Sequence, residues 1–146
     1  VVAAAQAVGI HDTILSFPKG YDTRIGEVGH VLTGGQRQRI VIARAIYGDP
    51  PYVVMDEPNA SLDEEGEQAL VRLLRHLKQK KTTVVFTTHR IMLLAGADKL
   101  MVLRNGKIRM YGPTASVVQE LKQKSEERAT ARQVVPAARV AAGGAS

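Results

Sequence analysis

Three short stretches hold residues whose types and spacing could do chemistry. Asp56 and Glu57 stand together directly after the apolar run Tyr52-Val53-Val54-Met55. Two acids at a strand end can be simply solvated, or they can divide labour, one holding a cation and the other taking a proton from water. His89 ends a second such run, Thr82–Thr88. A lone histidine after a strand is more often structural than catalytic, so its weight depends on what lies beside it. The third stretch is Thr33-Gly34-Gly35-Gln36. Thr33-x-x-Gln36 is an acceptable capping box for a helix start. Gly costs about 1 kcal/mol relative to Ala inside a helix, so two glycines in the first turn make sense where something approaches the backbone closely. An anion fits, because the free N–H groups and the helix dipole favour negative charge and the Thr33 hydroxyl adds a donor.

The elements that must position these residues follow from periodicity and punctuation. Val1–Val8 and His11–Ser16 read as short helical pieces, followed by a turn-rich loop from Pro18 to His30. A helix starts near Gly34 and runs to about Tyr47, apolar on most sides after its first turn and closed by Gly48-Asp49-Pro50-Pro51; such a helix is expected to be buried. The runs at 52–55 and 82–88 read as buried parallel strands, with their polar ends together where ligands bind in open α/β sheets. Between them Asp63 can cap a helix that carries Leu70, Leu73, Leu74 and Leu77 on one face. Asn105-Gly106 between Lys99–Leu103 and Lys107–Tyr111 is a strong hairpin signal, and a last helix is expected at about Thr114–Lys124. The order predicts an α/β layer fold.

Composition narrows the class. With 146 residues and 45% apolar content, the chain can bury the core of one domain. It has no cysteine, so a disulfide framework and thiolate metal sites are excluded. Its most apolar stretches, 1–10 and 40–46, fall short of the ~18 residues that span a bilayer. The net charge of +6 invites a nucleic-acid reading. Half of that excess, however, sits in residues 121–146, as Lys122, Lys124, Arg128, Arg132 and Arg139 against Glu126 and Glu127, with no aromatic on which a base could stack. A solvated basic tail over 122–146 is expected instead. Arg37, Arg39 and Arg44 lie on a helix the core should cover and read as scaffold or partner contacts. Val1 in place of Met, without a signal-peptide pattern, suggests a start inside a longer protein.

Leu32-Thr33-Gly34-Gly35-Gln36-Arg37-Gln38-Arg39 resembles the signature motif of ABC-transporter ATPases, and the strand ending in Asp56-Glu57-Pro58 resembles their Walker B. Ala60-Ser61-Leu62-Asp63 resembles the D-loop and His89 the switch histidine, all in the family's order. Pro18–Thr23 and Ile25-Gly26-Glu27-Val28-Gly29 resemble the exporter segment that faces the membrane domain. Tyr47–Pro50, Asp56–Asn59 and Asp98–Leu100 look closest to type I secretion ATPases of the protease- and lipase-exporting kind. The resemblance covers about residues 1–121. Thr33 stands where Ser is usual, which keeps the hydroxyl. The sequence has no G-x-x-x-x-G-K-[ST] stretch, nor the aromatic adenine contact and glutamine loop the family places upstream.

The resemblance implies a partial P-loop NTPase-like ABC ATPase: parallel strands with flanking helices and a C-terminal antiparallel hairpin. It divides the chain into part of a helical subdomain (1–48), the C-terminal part of the ATPase core (49–121) and a disordered tail. Asp56 then holds Mg²⁺, Glu57 is the base and His89 meets the γ-phosphate. Leu32, Thr33, Gly34, Gly35 and Gln36, with Asp63, contact ATP across a head-to-tail homodimer. The implied partners are a second ATPase domain, a transmembrane domain, and membrane-fusion and outer-membrane secretion components, at the cytoplasmic face of a bacterial inner membrane. The full-length protein is expected to hydrolyse MgATP to export a polypeptide. This piece alone is expected to be inactive and poorly soluble. An ATPase of chromosome maintenance should add long heptad helices, an importer should lack the 25–29 segment, and a truncated remnant would have no activity.

Overall fold

A computed structural model describes residues 1–25 and 32–133. The segment at Gly26–Gly29 and the tail after Gln133 lie outside the described residues. The chain divides into two compact units at Gly96/Ala97.

The first unit opens with α1 (Val2–Ala7), α2 (His11–Leu15) and a 3₁₀ turn at Gly20–Asp22. Helix α3 (Gly34–Ala45) leads to strand β1 (Tyr52–Met55), α4 (Glu64–Gln79), β2 (Thr83–Phe86) and a short α5 (Ile91–Leu94). Asp63 starts α4 by accepting the Gly66 N–H at 2.9 Å. Glu64, Glu65 and Glu67 in the first turn, with His76 and Lys78 in the last, complement the helix dipole. The i, i+3, i+4 spacing turns Leu70, Leu73 and Leu77 into one core with Ala5, Val8, Ile10, Ile42, Val53 and Met55. That core runs without a break across residue 48. Lys80 closes the crossover on Asp49 at 2.7 Å, and its hydrogen bond and charge hold the Asp49 carboxyl below the ordinary carboxylate range.

Strands β1 and β2 pair in parallel, with Met55 opposite Phe86, so their carboxyl ends lie side by side. Burial alternates along β1: Val53 and Met55 face the core, while Tyr52 and Val54 are 73% and 75% exposed. The expectation of strands buried on both faces is corrected here. Among the described residues helices cover one face of this pair, and a continuous apolar run has period-two exposure when only one side is covered. Helix α3 ends at Ala45, short of the expected Tyr47, and is likewise only partly buried: Ile42 is inside, whereas Val41 is exposed.

In the second unit β3 (Lys99–Arg104) and β4 (Lys107–Pro113) form an antiparallel hairpin. Asn105 and Gly106 both take positive φ, 53° and 69°, as a two-residue turn of this twist requires. Helix α6 runs from Thr114 to Gln133, past the expected end at Lys124. Ser125–Gln133 is rich in Glu, Arg and Ala, good helix formers, and Lys124 pairs with Glu120 one turn back.

Candidate functional site

Two clusters gather the residues singled out by sequence. The first lies at the carboxyl ends of β1 and β2. The parallel register sets Asp56-Glu57 beside Thr87-Thr88-His89, and Thr87 N–H extends the ladder by donating to Met55 O at 3.1 Å. Thr87 then clamps the acids: its hydroxyl donates to Asp56 Oδ1 at 2.5 Å and accepts the Glu57 N–H at 2.9 Å. Glu57 takes φ 44°, a left-handed conformation that costs a non-glycine residue roughly 1–3 kcal/mol and recurs where a side chain must be aimed.

His89 Nδ1 lies 3.2 Å from Glu57 Oε1 in hydrogen-bond alignment. Oε2 is nearer, at 3.0 Å, but it lies off that line and is buried without a hydrogen bond. A carboxylate only accepts, so the shared proton is on Nδ1, which leaves Nε2 for another partner. The arrangement can therefore take a proton through Glu57 while His89 orients it.

The second cluster surrounds the start of α3. Thr33 and Gln36 form a complete capping box: Gln36 N–H donates to Thr33 Oγ1 at 3.2 Å, and Thr33 N–H to Gln36 Oε1 at 3.0 Å. The cap uses the lone pair of the Thr33 hydroxyl and leaves its hydrogen free to donate, so capping and anion contact are compatible. Among the described residues no hydrogen bond uses the N–H of Gly34 or Gly35. The close approach expected at these glycines is made within the chain by Ser61. A Cβ on Gly35 would lie 2.9 Å from Ser61 O, and one on Gly34 3.2 Å from Ser61 Cβ.

Asp63 joins α4 to α3 through Arg39, which also reaches the turn after α1. Arg39 on α3 donates to Asp63 Oδ1 at 2.6 Å and to Gly9 O at 3.0 Å. The Gly66 N–H, and then the Arg39 side chain, hold the Asp63 carboxyl below the ordinary carboxylate range. Arg39 acts as scaffold, as does Arg37, which donates to Leu32 O at 3.1 Å. Gly66 has no room for a Cβ, which would meet Asp63 Oδ1 at 2.9 Å.

The strand tips bring Asp56, Glu57 and His89 together, while Leu32–Gln36 and Asp63 form their own group; the turn 57–63 links the two. Sequence reasoning read Arg39 as scaffold or partner contact and named Ser61 and Asn59 only within motifs; the contacts made by Thr87, Ser61 and Asn59 it did not assign. Thr87 carried a signal, as a hydroxyl directly after a strand whose parallel neighbour ends in two acids.

Residues 3–60 match the ABC transporter family. The type I secretion system ATP-binding protein PrsD of Rhizobium meliloti (strain 1021) is 44% identical over 136 residues, 92% of this chain and 23% of PrsD. The mitochondrial iron-sulfur clusters transporter ABCB7 of Rattus norvegicus is 42% identical over 112 residues, 77% of this chain and 15% of that protein. Among solved structures, a bacterial Atm1-family ABC exporter with ATP bound superposes with a TM-score of 0.73 at 32% identity, over 92% of this chain and 23% of that one. The chain thus spans less than a quarter of the length of these relatives. With its motifs in family order on an α/β ABC ATPase fold, the chain is part of an ABC transporter ATP-binding domain.

Proposed function

We propose that the full-length protein hydrolyses MgATP to drive export of a polypeptide, and that this chain carries the base, the metal carboxylate and the contacts offered to a partner's nucleotide. Glu57 is the observation that carries the reading. Strained backbone, a buried oxygen without a hydrogen bond and a histidine on the other oxygen meet at the tips of paired parallel strands. A carboxylate so placed is an acceptor for the proton of an attacking water. His89 holds Glu57 through Nδ1, and in its doubly protonated form it would also donate from Nε2 to the terminal phosphate.

Asp56 is the magnesium ligand in this reading. It is exposed and has one oxygen oriented by Thr87. Among the described residues no group of three His, Asp or Glu could hold a metal. That fits magnesium, which is taken by one or two carboxylates together with substrate phosphates rather than by an all-protein cage. Bound there, it would neutralise charge on the phosphate oxygens. Leu32, Thr33, Gly34, Gly35 and Gln36, with Asp63, serve the nucleotide held by a second copy in a head-to-tail homodimer. The main grip on each nucleotide comes from a phosphate loop elsewhere in the full-length protein.

The polypeptide reading is supported by PrsD, whose similarity runs over 136 residues against 112 for ABCB7. It brings in a transmembrane domain and secretion partners at the cytoplasmic face of a bacterial inner membrane, and no nucleic acid. No helix of the described residues is long and apolar enough to cross a membrane. Membrane attachment is therefore assigned to the rest of the protein.

MgATP turnover, measured on the purified full-length protein and on the 146-residue chain side by side, tests this division of labour. Steady hydrolysis by the first and none by the second is expected. Turnover by the short chain would defeat the view that its nucleotide grip lies elsewhere.

A further inference from the structure

One buried polar group has no part in the chemistry above. Asn59 is 3% exposed, two residues beyond Glu57 and next to the fully buried Pro58. Its Oδ1 accepts the Thr88 hydroxyl at 2.9 Å. The same Thr88 oxygen accepts the Arg90 N–H at 3.0 Å, so one hydroxyl ties the residue before His89 to the residue after it and anchors both to the loop that carries Glu57. Arg90 adds a second tie, its guanidinium lying 3.3 Å from Glu67 on α4. A buried amide that spends its carbonyl on a single hydroxyl is costly to leave unpaired, so the two loops are held in one register.

We propose that Asn59, acting through Thr88, is a positioning residue that fixes the His89 loop against the Glu57 loop and so sets the Glu57–His89 contact. The chain in between leaves little else to do this. Thr87 clamps Asp56 and the Glu57 backbone but precedes His89 by two residues. His89 itself is exposed, with its side chain 73% accessible, and so is not wedged by packing. Asn59 touches neither reacting atoms nor metal in this scheme; its effect passes through the histidine. The inference deepens the hydrolytic reading of this site but concerns a contact that exists without nucleotide.

The test is a coupling measurement by NMR on the full-length protein, labelled at its histidine ring nitrogens. The probe is the ring-nitrogen resonance of His89, assigned by loss in His89→Gln, and the perturbation is Glu57→Gln. In the unaltered background the perturbation should move the His89 signal. In Asn59→Ala and in Thr88→Val the same perturbation should move it less, by about threefold or more, because the contact is no longer held. Thr88→Ser, which keeps the hydroxyl, should restore the full response. Signals of His11 and His76 should not change, which separates loosening of one loop from loss of fold. An undiminished response in both Asn59→Ala and Thr88→Val would overturn the proposal, as would a wild-type His89 signal indifferent to Glu57→Gln. In the full-length protein Asn59→Ala should lower kcat for MgATP by roughly ten- to a hundredfold with KM unchanged. If the NMR coupling falls as expected while kcat does not, the positioning role stands and the part given to His89 in hydrolysis fails.

Discussion

Replacing Glu57 by Gln in the full-length protein should cut MgATP turnover by about 10²–10⁴-fold while leaving nucleotide binding intact. A positioned general base is worth that much, and the amide keeps the shape and hydrogen-bonding reach of the side chain while losing its ability to take a proton. The local geometry favours a clean lesion. The Glu57 backbone is fixed by the bond to Thr87, and its Oε1 needs only to accept from His89, which an amide oxygen can also do. Turnover and equilibrium binding measured on the same preparation check this. Retention of more than about a tenth of the activity would remove Glu57 from the role of base.

The second large effect concerns stability. Leu73 is 2% exposed on the inner face of α4, in the cluster that joins the opening helices to both parallel strands. Truncating a leucine at such a position removes its transfer energy and leaves a cavity, together about 2–5 kcal/mol. A small domain has about 5–15 kcal/mol in all, so Leu73→Ala should lower the urea midpoint of the 146-residue chain markedly. A change below about 1 kcal/mol would mean that α4 does not carry this core. Leu74, only partly buried next to it, should be much more tolerant.

Much of this arrangement was readable before any coordinates. Asp56, Glu57 and His89 each end an apolar run of strand length, and parallel pairing of the two runs brings their ends together. Asn105-Gly106 specified its turn because few dipeptides accept positive φ at both positions. Other features depend on tertiary contacts that no local pattern encodes. The exposed faces of Tyr52, Val54 and Val85 follow from which side of the sheet the helices cover, and an apolar run reads the same whether one face or two are buried. The glycine pair announced a close approach but not its source. The Ser61 backbone comes from a loop whose path depends on the Asp63 cap and on Arg39 reaching across from α3. Helix α6 outran its expected end because a charged, alanine-containing stretch can be a solvated tail or a helix, and composition does not separate the two.

The central claim is that the tips of β1 and β2 in this chain receive the terminal phosphate of a nucleotide gripped elsewhere. The full-length Glu57→Gln protein, solved with MgATP, addresses it directly. The account predicts the metal on the Asp56 side of the strand tips, the terminal phosphate within hydrogen-bonding reach of His89, and Gly35 of one subunit against the nucleotide of the other. A nucleotide bound with its phosphates away from Asp56 and His89 would contradict it.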